Sequence, residues 1–141
     1  MIKRMASGDI PPALAGGLLI ALRNKGEAAA EIRGMAKSMR SLALRPAISD
    51  GAPYVDIVGT GGDHSGSLHL STGSALLAAA CGLAVVKHGN RSISSRSGSA
   101  DVLEALGLPI PLDQHEAVRC LDEIGFTFLF APTYHPAMKN I

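Results

Sequence analysis

Strong net charge, a disulfide framework and a long hydrophobic run are all missing from this sequence. Its 141 residues carry 13 Lys and Arg against 12 Asp and Glu, a formal net charge of +1. That balance argues against a general nucleic-acid-binding protein, which usually shows a strongly basic surface. It leaves room for a local basic pocket, and the 47% hydrophobic content favours a packed core over disorder.

Cysteines are scarce, and no segment resembles a membrane span. Only Cys81 and Cys120 occur, both in predicted helices. A domain of this size needs no disulfide, so we expect a reduced, cytoplasmic chain. The stretch SALLAAACGLAVV falls short of the roughly 18 residues that a membrane helix requires, and no secretory signal opens the sequence. We therefore expect neither a membrane nor a nucleic acid among its partners.

The first third of the chain is predicted to form a helical domain. PPALAGGLLIALRNKG predicts a helix capped by Asp9 and ended by Gly26, and EAAAEIRGMAKSMRSLAL predicts another. Two short amphipathic helices cannot bury their apolar faces alone, so they should pack on each other or on a partner chain. These patterns predict a helical domain over residues 1–45 and a linker over 46–53. The apolar positions at helical spacing are Leu14, Leu18, Leu22, Ile32, Met35, Met39 and Leu42.

From residue 54 the pattern changes to strands that alternate with loops and helices. YVDIV, AVVKH and FTFLF predict three strands. STGSALLAAACG, ADVLEALG and QHEAVRCLDEIG predict helices, the first capped by Ser71 or Thr72 and ended by Gly82, the last capped by Asp113. The fold class is therefore α/β, a helical segment followed by the first part of a mainly parallel sheet domain over 54–141. Such sheets bind ligands at the carboxyl ends of their strands.

The loop after the first predicted strand is rich in glycine. GTGGD, residues 59–63, lets the backbone approach a ligand and presents N–H groups, and the following helix adds its positive end. The loop lacks the Gly-Lys-Ser/Thr ending of a P-loop and the spacing of GxGxxG. A plain tight turn remains an alternative for this loop alone. Asp63 would repel phosphate, so it suggests a metal beside a diphosphate.

The segment after the second predicted strand, KHGNRSISSRSGS, interleaves cations with hydroxyl groups. Lys87, Arg91 and Arg96 supply charge, while the serines and the loop N–H groups supply short directional hydrogen bonds. A solvated polar loop is the alternative. The density of serines and cations between two apolar elements favours an oxyanion cradle.

The remaining polar residues give weaker signals. No histidine and cysteine have the spacing of zinc ligands, so we expect no zinc site. His115 is expected to face solvent on its helix. Asp122 and Glu123 resemble a metal pair, but adjacent helical residues point about 100° apart, so we expect them on a solvated face.

With these loops in place, the sequence resembles the anthranilate phosphoribosyltransferase family of tryptophan biosynthesis. SGDIPPALAGGLLIALRNKGE, DIVGTGGD, LST, KHGNRSISSRSGSADVLEALG and FLFAP with HPAMK follow the family's order over nearly the whole chain. The resemblance implies Mg²⁺-dependent transfer of phosphoribosyl from phosphoribosyl pyrophosphate (PRPP) to the amine of anthranilate, with pyrophosphate leaving. Catalysis would rest on positioning and charge stabilisation, and no residue is assigned as a general acid or base.

The resemblance also implies which residues bind the substrates. Anthranilate would contact Gly59, His88, Asn90 and His135, and Ser71 would also touch Mg²⁺. A homodimer through the helical segment is implied as well. The positions that would bind PRPP are Gly59, Gly62, Asp63, Ser67, Ser71, Thr72, Lys87, His88, Gly89, Asn90, Arg91, Ser92, Ser94, Ser95 and Ser99.

Two departures from the family pattern stand out. The family commonly has Asn-Ile-Ser-Thr where this chain has His69-Leu70-Ser71-Thr72. The family also begins about one helix earlier and continues beyond Ile141, with an arginine for the anthranilate carboxylate and an Asp-Glu pair for Mg²⁺. We therefore expect a fragment, a truncated reading frame, an inactive remnant, or one piece of a split enzyme whose other chain supplies the C-terminal part.

Two relatives of similar fold remain alternatives. A pyrimidine nucleoside phosphorylase usually carries Lys-His-Ser-Thr-Gly-Gly as its phosphate loop, whereas this chain has GTGGD and a separate KHGN. A non-catalytic nucleic-acid-binding relative should be more basic and could lose the pyrophosphate loop, which this chain keeps.

Overall fold

The chain divides into two compact units. The computed structural model describes residues 1–49, 53–59, 68–92 and 97–140. One unit consists of Met1–Leu44 with Tyr134–Ile141, and the other of Arg45–Thr133. The domain limits expected from the sequence stay a prediction.

The helical unit contains α1 (Ile2–Ala6), α2 (Pro12–Lys25) and α3 (Ala29–Leu42). It also includes a short 3₁₀ helix near the C-terminus, Pro136–Asn140. Ile2, Met5 and Tyr134 are its buried apolar side chains. The Leu44 N–H donates to the Tyr134 carbonyl oxygen at 2.9 Å, and Asn140 Nδ2 donates to the Ala6 carbonyl oxygen at 2.9 Å. These bonds attach the C-terminal residues to the helices.

The apolar faces of α2 and α3 are not covered within the described chain. Neither helix has a buried residue, and Leu14 and Ile32 are 62% and 54% exposed. The expectation that the two helices bury their stripes on each other is therefore wrong for this chain by itself. A partner chain is the alternative that stays open.

The start of α2 also differs from the prediction, whereas its end agrees. Asp9 does not cap the helix; its Oδ2 accepts a hydrogen bond from the Ser7 hydroxyl at 2.6 Å instead. Pro11 precedes Pro12 and has an extended backbone, because a residue before proline disfavours helical geometry, so the helix begins at Pro12. Gly26 ends it with φ 82°, as predicted.

The second unit is built on a parallel sheet, which confirms the predicted α/β class. In chain order it contains β1 (Tyr54–Val55), α4 (Leu70–Ala80), β2 (Ala84–Gly89), α5 (Ser99–Ala105), α6 (Gln114–Ile124) and β3 (Phe126–Phe130). A single helical turn, Ala131–Tyr134, follows. The strand order is β1-β2-β3, with both pairs parallel. The first strand is only two residues long and half-buried, shorter than the YVDIV prediction.

Both faces of the sheet carry helices. On one face, Val85 and Phe128 belong to a core cluster with Ala75 of α4 and with Ala100 and Leu103 of α5. Side chains alternate along a strand, so Thr127 and Leu129 point to the other face. There α6 packs against β3 and buries its Ala117 and Leu121. Among the described residues, none of the helices combines the length and the apolar character that crossing a bilayer would need.

Helix caps in this unit match the prediction at one helix and not at another. Asp113 caps α6 as predicted: its Oδ1 accepts from the N–H groups of His115 and Glu116, each at 2.8 Å. Neither Ser71 nor Thr72 caps α4, because this helix begins at Leu70 with His69 at the capping position. Both hydroxyl residues therefore lie inside the first turn.

Candidate functional site

The carboxyl ends of β1 and β2 lie side by side. Their parallel pairing brings the segment 56–59 next to the end of β2. Lys87 Nζ donates to the Ile57 carbonyl oxygen at 2.5 Å, and the His88 backbone N–H donates to Asp56 Oδ1 at 3.2 Å. His88 Nδ1 lies 3.7 Å from Asp56 Oδ2. The residues that lead into the two predicted ligand loops are thus neighbours.

The segment after β1 also approaches the start of α4. A Cβ atom placed on Gly59 would lie 3.8 Å from Ser71 Oγ. The first N–H groups of an α-helix have no partner within the helix, and its N-terminal end is electropositive. Thr72 is fully buried in the same turn, and its hydroxyl has no hydrogen-bond partner among the described residues. The electropositive start of α4 therefore lies behind Gly59, beside the Ser71 hydroxyl.

A second contact joins the residues just before α4 to those just before α5. His69 Nε2 lies 2.6 Å from Ser97 Oγ, a partly buried hydrogen bond between residues 28 positions apart. In the sequence, His69 stands out only as a departure from the family pattern. The bond places the return points of both loops together, so the loops begin and end in the same region of the unit.

The start of α5 is packed tightly against the second loop. The Asn90 carbonyl oxygen accepts from Ser99 Oγ and from the Ala100 N–H, each at 3.2 Å. Asp101 Oδ2 accepts from the N–H groups of Gly98, at 2.6 Å, and Ser92, at 3.2 Å, and these bonds lower the pKa of Asp101. Asp101 of α5 thus binds the second loop on both sides, at Ser92 and at Gly98.

Glycine is required by space in this region. A Cβ on Gly89 would overlap Ser99 Oγ and lie 2.6 Å from Phe128 Cε2. A Cβ on Gly98 would overlap backbone atoms of the second loop and lie 2.7 Å from the Asn90 carbonyl oxygen. The backbone therefore passes closer to its neighbours than any side chain allows.

The guanidinium of Arg91 is held by two carboxylates of α5. Its Nη1 donates to Glu104 Oε2 at 2.5 Å and to Asp101 Oδ1 at 3.1 Å, and its Nη2 donates to Glu104 Oε1 at 2.7 Å. The guanidinium carbon also lies 5.7 Å from the centre of the Phe130 ring. Glu104 and Asp101 raise the pKa of Arg91, and Arg91 lowers the pKa of Glu104. The sequence predicts that Arg91 supplies positive charge to a phosphate, and here Asp101 and Glu104 balance that charge.

Lys87 is buried, with 1% of its surface exposed. It shares the sheet face of Val85, under α4 and α5. Burial lowers the pKa of Lys87, because desolvation disfavours the charged form, while the nearby charge of Asp56 opposes that effect.

The structure describes ten of the fifteen predicted PRPP positions. Asn90, Arg91 and Ser92 continue directly from β2, and His135 belongs to the helical unit. His115, Asp122 and Glu123 are exposed, as expected. No group of three or more potential metal-ligating side chains occurs within the described ranges. The predicted positions outside those ranges are Gly62, Asp63, Ser67, Ser94 and Ser95.

Three residues that shape this region were not singled out from the sequence: Asp56, Asp101 and Glu104. Asp101 and Glu104 are three residues apart on α5, so they share a helix face, a spacing that could have suggested a site for a cation. Asp56 gave no local signal, because its partner lies 32 residues away. His69 stood out only as a departure from the family pattern, and its contact with Ser97, 28 residues away, could not be read from the sequence.

Comparison with known protein families gives a match for each part of the chain. The model described as "Glycosyl transferase family, helical bundle domain" matches residues 1–43. The model described as "Glycosyl transferase family, a/b domain" matches residues 51–141.

Individual relatives carry a more specific name. The anthranilate phosphoribosyltransferase of Methylobacterium radiotolerans is 52% identical over 137 residues, which cover 97% of this chain and 39% of that protein. The crystal structure of the Thermus thermophilus anthranilate phosphoribosyltransferase has a TM-score of 0.86 at 48% identity, covering 99% of this chain and 42% of that one. The Saccharomyces cerevisiae enzyme in complex with PRPP and Mg has a TM-score of 0.78 at 28% identity, covering 92% and 36%. The chain thus spans about two fifths of the length of the relatives it matches.

Proposed function

This chain belongs to the glycosyl transferase family whose helical bundle and a/b domain models it matches, and we propose that it forms the PRPP-binding part of an anthranilate phosphoribosyltransferase. The observation that carries the proposal is that the residues flanking the two loops lie together at neighbouring strand ends. The Lys87–Ile57 bond joins the residues that lead into the loops, and the His69–Ser97 bond joins residues that follow them. A ligand with phosphates at both ends needs such a two-sided site.

The proposed reaction transfers a phosphoribosyl group. The amine nitrogen of anthranilate bonds to C1 of PRPP, the bond from C1 to the pyrophosphate oxygen breaks, and pyrophosphate leaves with the electron pair. The nitrogen then loses one proton to water. Positive charge develops on the ribose and negative charge on the leaving group. The site would act by aligning the two reactants and by stabilising the leaving charge with N–H groups, hydroxyls and the α4 N-terminus.

The donor set at the start of α4 fits a pyrophosphate that carries Mg²⁺. Gly59 lets the chain pass close to Ser71, whose hydroxyl oxygen is a ligand type suited to Mg²⁺. Mg²⁺ is usually held by only a few protein oxygens together with substrate phosphates, so a dedicated carboxylate cluster is not required. When bound, the ion would neutralise negative charge on the leaving group. Ser71 would orient the pyrophosphate oxygens, and Asp63 is proposed to help hold the ion.

The remaining substrate contacts are proposed from the family resemblance. Residues Lys87 to Ser95, with Ser99, would hold the phosphoribosyl group and the pyrophosphate. Gly59, His88, Asn90 and His135 would contact anthranilate. The Asn90 backbone is already fixed by Ser99 and Ala100, which supports a precise placement of its side chain.

We propose two kinds of protein partner. The uncovered apolar faces of α2 and α3 support a homodimer through the helical segment. In the α/β unit, a groove of about 440 Å³ between α4, α5 and the end of α6 is lined by apolar side chains such as Leu76, Leu106 and Ile124. That groove supports packing by a further part of the family's α/β domain, in the same chain or in another. We also propose that the protein is cytoplasmic, because its two free cysteines would stay reduced there. The domain boundary is proposed to lie within residues 46–53.

Isothermal titration calorimetry with PRPP and Mg²⁺ tests the proposal on the 141-residue chain. We expect heat of binding for PRPP with Mg²⁺ and little for anthranilate alone. Ser71→Ala removes a proposed hydrogen bond to a charged ligand and should weaken PRPP binding about tenfold. Ser74→Ala, an exposed serine one turn later on α4, is the matched control and should bind like the wild type. Absence of heat at millimolar PRPP, or equal effects of the two variants, would contradict the proposal.

A further inference from the structure

The pairing of β1 with β2 stops early. The ladder joins Tyr54 to Ala84 and Val55 to Val85, and then ends. The partner strand continues, since β2 stays paired with β3 as far as Gly89 and Phe130. Something other than a backbone ladder must therefore hold the segment 56–59 beside the last residues of β2.

Two side chains do this, one from each strand. Asp56 extends from the first segment, and its Oδ1 accepts from the His88 backbone N–H at 3.2 Å. Lys87 extends from β2, and its Nζ donates to the Ile57 carbonyl oxygen at 2.5 Å. Each bond joins a side chain of one strand to a backbone group of the other. Together Asp56, Ile57, Lys87 and His88 form what we call the strand-end clamp.

The burial of Lys87 indicates that the clamp has a purpose beyond folding. An ammonium group with 1% exposure is costly to bury, and an apolar side chain of similar length would fill the same space without that cost. Burial lowers the pKa of Lys87, and Asp56 counteracts the shift. The carboxylate of Asp56 therefore stabilises the protonated form of Lys87.

We propose that Asp56 is a positioning residue that, through the strand-end clamp, fastens the segment 56–59, and with it Gly59, to the end of β2. This inference rests on the proposed function for its catalytic meaning, because Gly59 leads into the loop proposed to receive pyrophosphate. Asp56 acts through the His88 backbone, and the bond from Lys87 to the Ile57 carbonyl oxygen joins the same two segments.

The direction in which PRPP affinity changes when Asp56 is removed separates a positioning role from a direct electrostatic effect. Asp56 is an anion near a proposed polyanion site, so by charge alone its removal would strengthen PRPP binding. If Asp56 holds the segment in place, its removal weakens binding instead. Asp122 is an exposed aspartate of α6 in the same unit, so Asp122→Ala is a control with the same change of charge.

The first measurement needs no ligand. Amide hydrogen exchange by NMR on the 141-residue chain reports the His88 N–H, which should be protected in the wild type and in Asp122→Ala. Asp56→Ala should speed its exchange about three- to tenfold, while Asp56→Asn, which keeps an acceptor oxygen, should restore protection. The Val85 N–H, bonded to the Gly125 carbonyl oxygen at 2.8 Å, is the internal reference and should not change. Equal His88 exchange in wild type and Asp56→Ala overturns the clamp.

The second measurement is PRPP binding by the same variants. Asp56→Ala should weaken it about three- to tenfold and Asp122→Ala should leave it unchanged. Unchanged or stronger binding by Asp56→Ala overturns the positioning role. If the wild type itself gives no PRPP heat while His88 protection depends on Asp56, the proposed function fails and the clamp stands.

Discussion

Gly98→Ala should destabilise the α/β unit for a purely steric reason. Gly98 has φ −104° and ψ 177°, an extended conformation that alanine adopts without strain. The obstacle is space, since the new Cβ would overlap the Ser92 nitrogen and the Arg91 carbonyl carbon and lie 2.7 Å from the Asn90 oxygen. These are backbone atoms, and no side-chain rotation can move them away.

The expected cost follows from that geometry. An extra carbon in a packed site typically costs about 1–3 kcal/mol, and a site walled by backbone lies at the upper end, so we expect about 2–3 kcal/mol. Gly73→Ala is the matched control. It lies within α4 of the same unit, and a Cβ there would meet nothing within 4 Å, so the higher helix propensity of alanine should add about 0.5–1 kcal/mol of stability.

Urea unfolding followed by circular dichroism measures both variants against the wild type. The midpoint should fall for Gly98→Ala and rise for Gly73→Ala. Gly98→Ala should also lose PRPP heat, since the loop backbone must shift to admit the methyl group. A Gly98→Ala free energy of unfolding within about 0.5 kcal/mol of the wild type would refute the steric argument.

Three further predictions use the same unfolding assay. Phe128→Ala empties a side-chain site with 0% exposure and should cost about 3–5 kcal/mol; a wild-type midpoint would contradict the core assignment. Asp113→Asn keeps an effective cap at neutral pH. Hydrogen bonds lower the pKa of Asp113 from its ordinary value of 3.8, so the wild type loses the stability from this group as pH falls below that value. The variant's free energy of unfolding should therefore fall less steeply in acid, and equal slopes for the two proteins would contradict this. Burial lowers the pKa of Lys87 from its ordinary value of 10.5, so the unfolded chain holds that proton more tightly than the folded one. The free energy of unfolding should therefore rise as pH increases towards 10.5. Lys87→Met should lose this rise, and an unchanged slope would contradict the burial of the charge.

Local signals in the sequence predicted the α/β unit well. FTFLF forms β3 and Asp113 caps α6, as expected, because both patterns depend on residues close in the chain. The caps predicted at Asp9 and at Ser71 or Thr72 failed, since each sequence allowed more than one helix start.

Long-range features could not be predicted in the same way. The β1 ladder ends at Val55, and beyond it the two segments are joined by side-chain bonds of Asp56 and Lys87 to partners about thirty residues away. The His69–Ser97 bond likewise joins two loops whose separation no local pattern encodes. The substrate assignments came from family resemblance, and they remain predictions for this chain.

The pairing of Arg91 with Glu104 and Asp101 bears on how this protein should respond to ionic strength. In the described chain, the arginine of this pocket is already neutralised and the lysine is buried. The attraction that these described residues would exert on a polyanion would then come mainly from amide and hydroxyl dipoles and from a helix end at short range. Dissolved salt screens mobile surface charges far more than such enclosed contacts. The share of PRPP binding proposed for the described residues should therefore persist at salt concentrations that dissociate ligands from open basic patches.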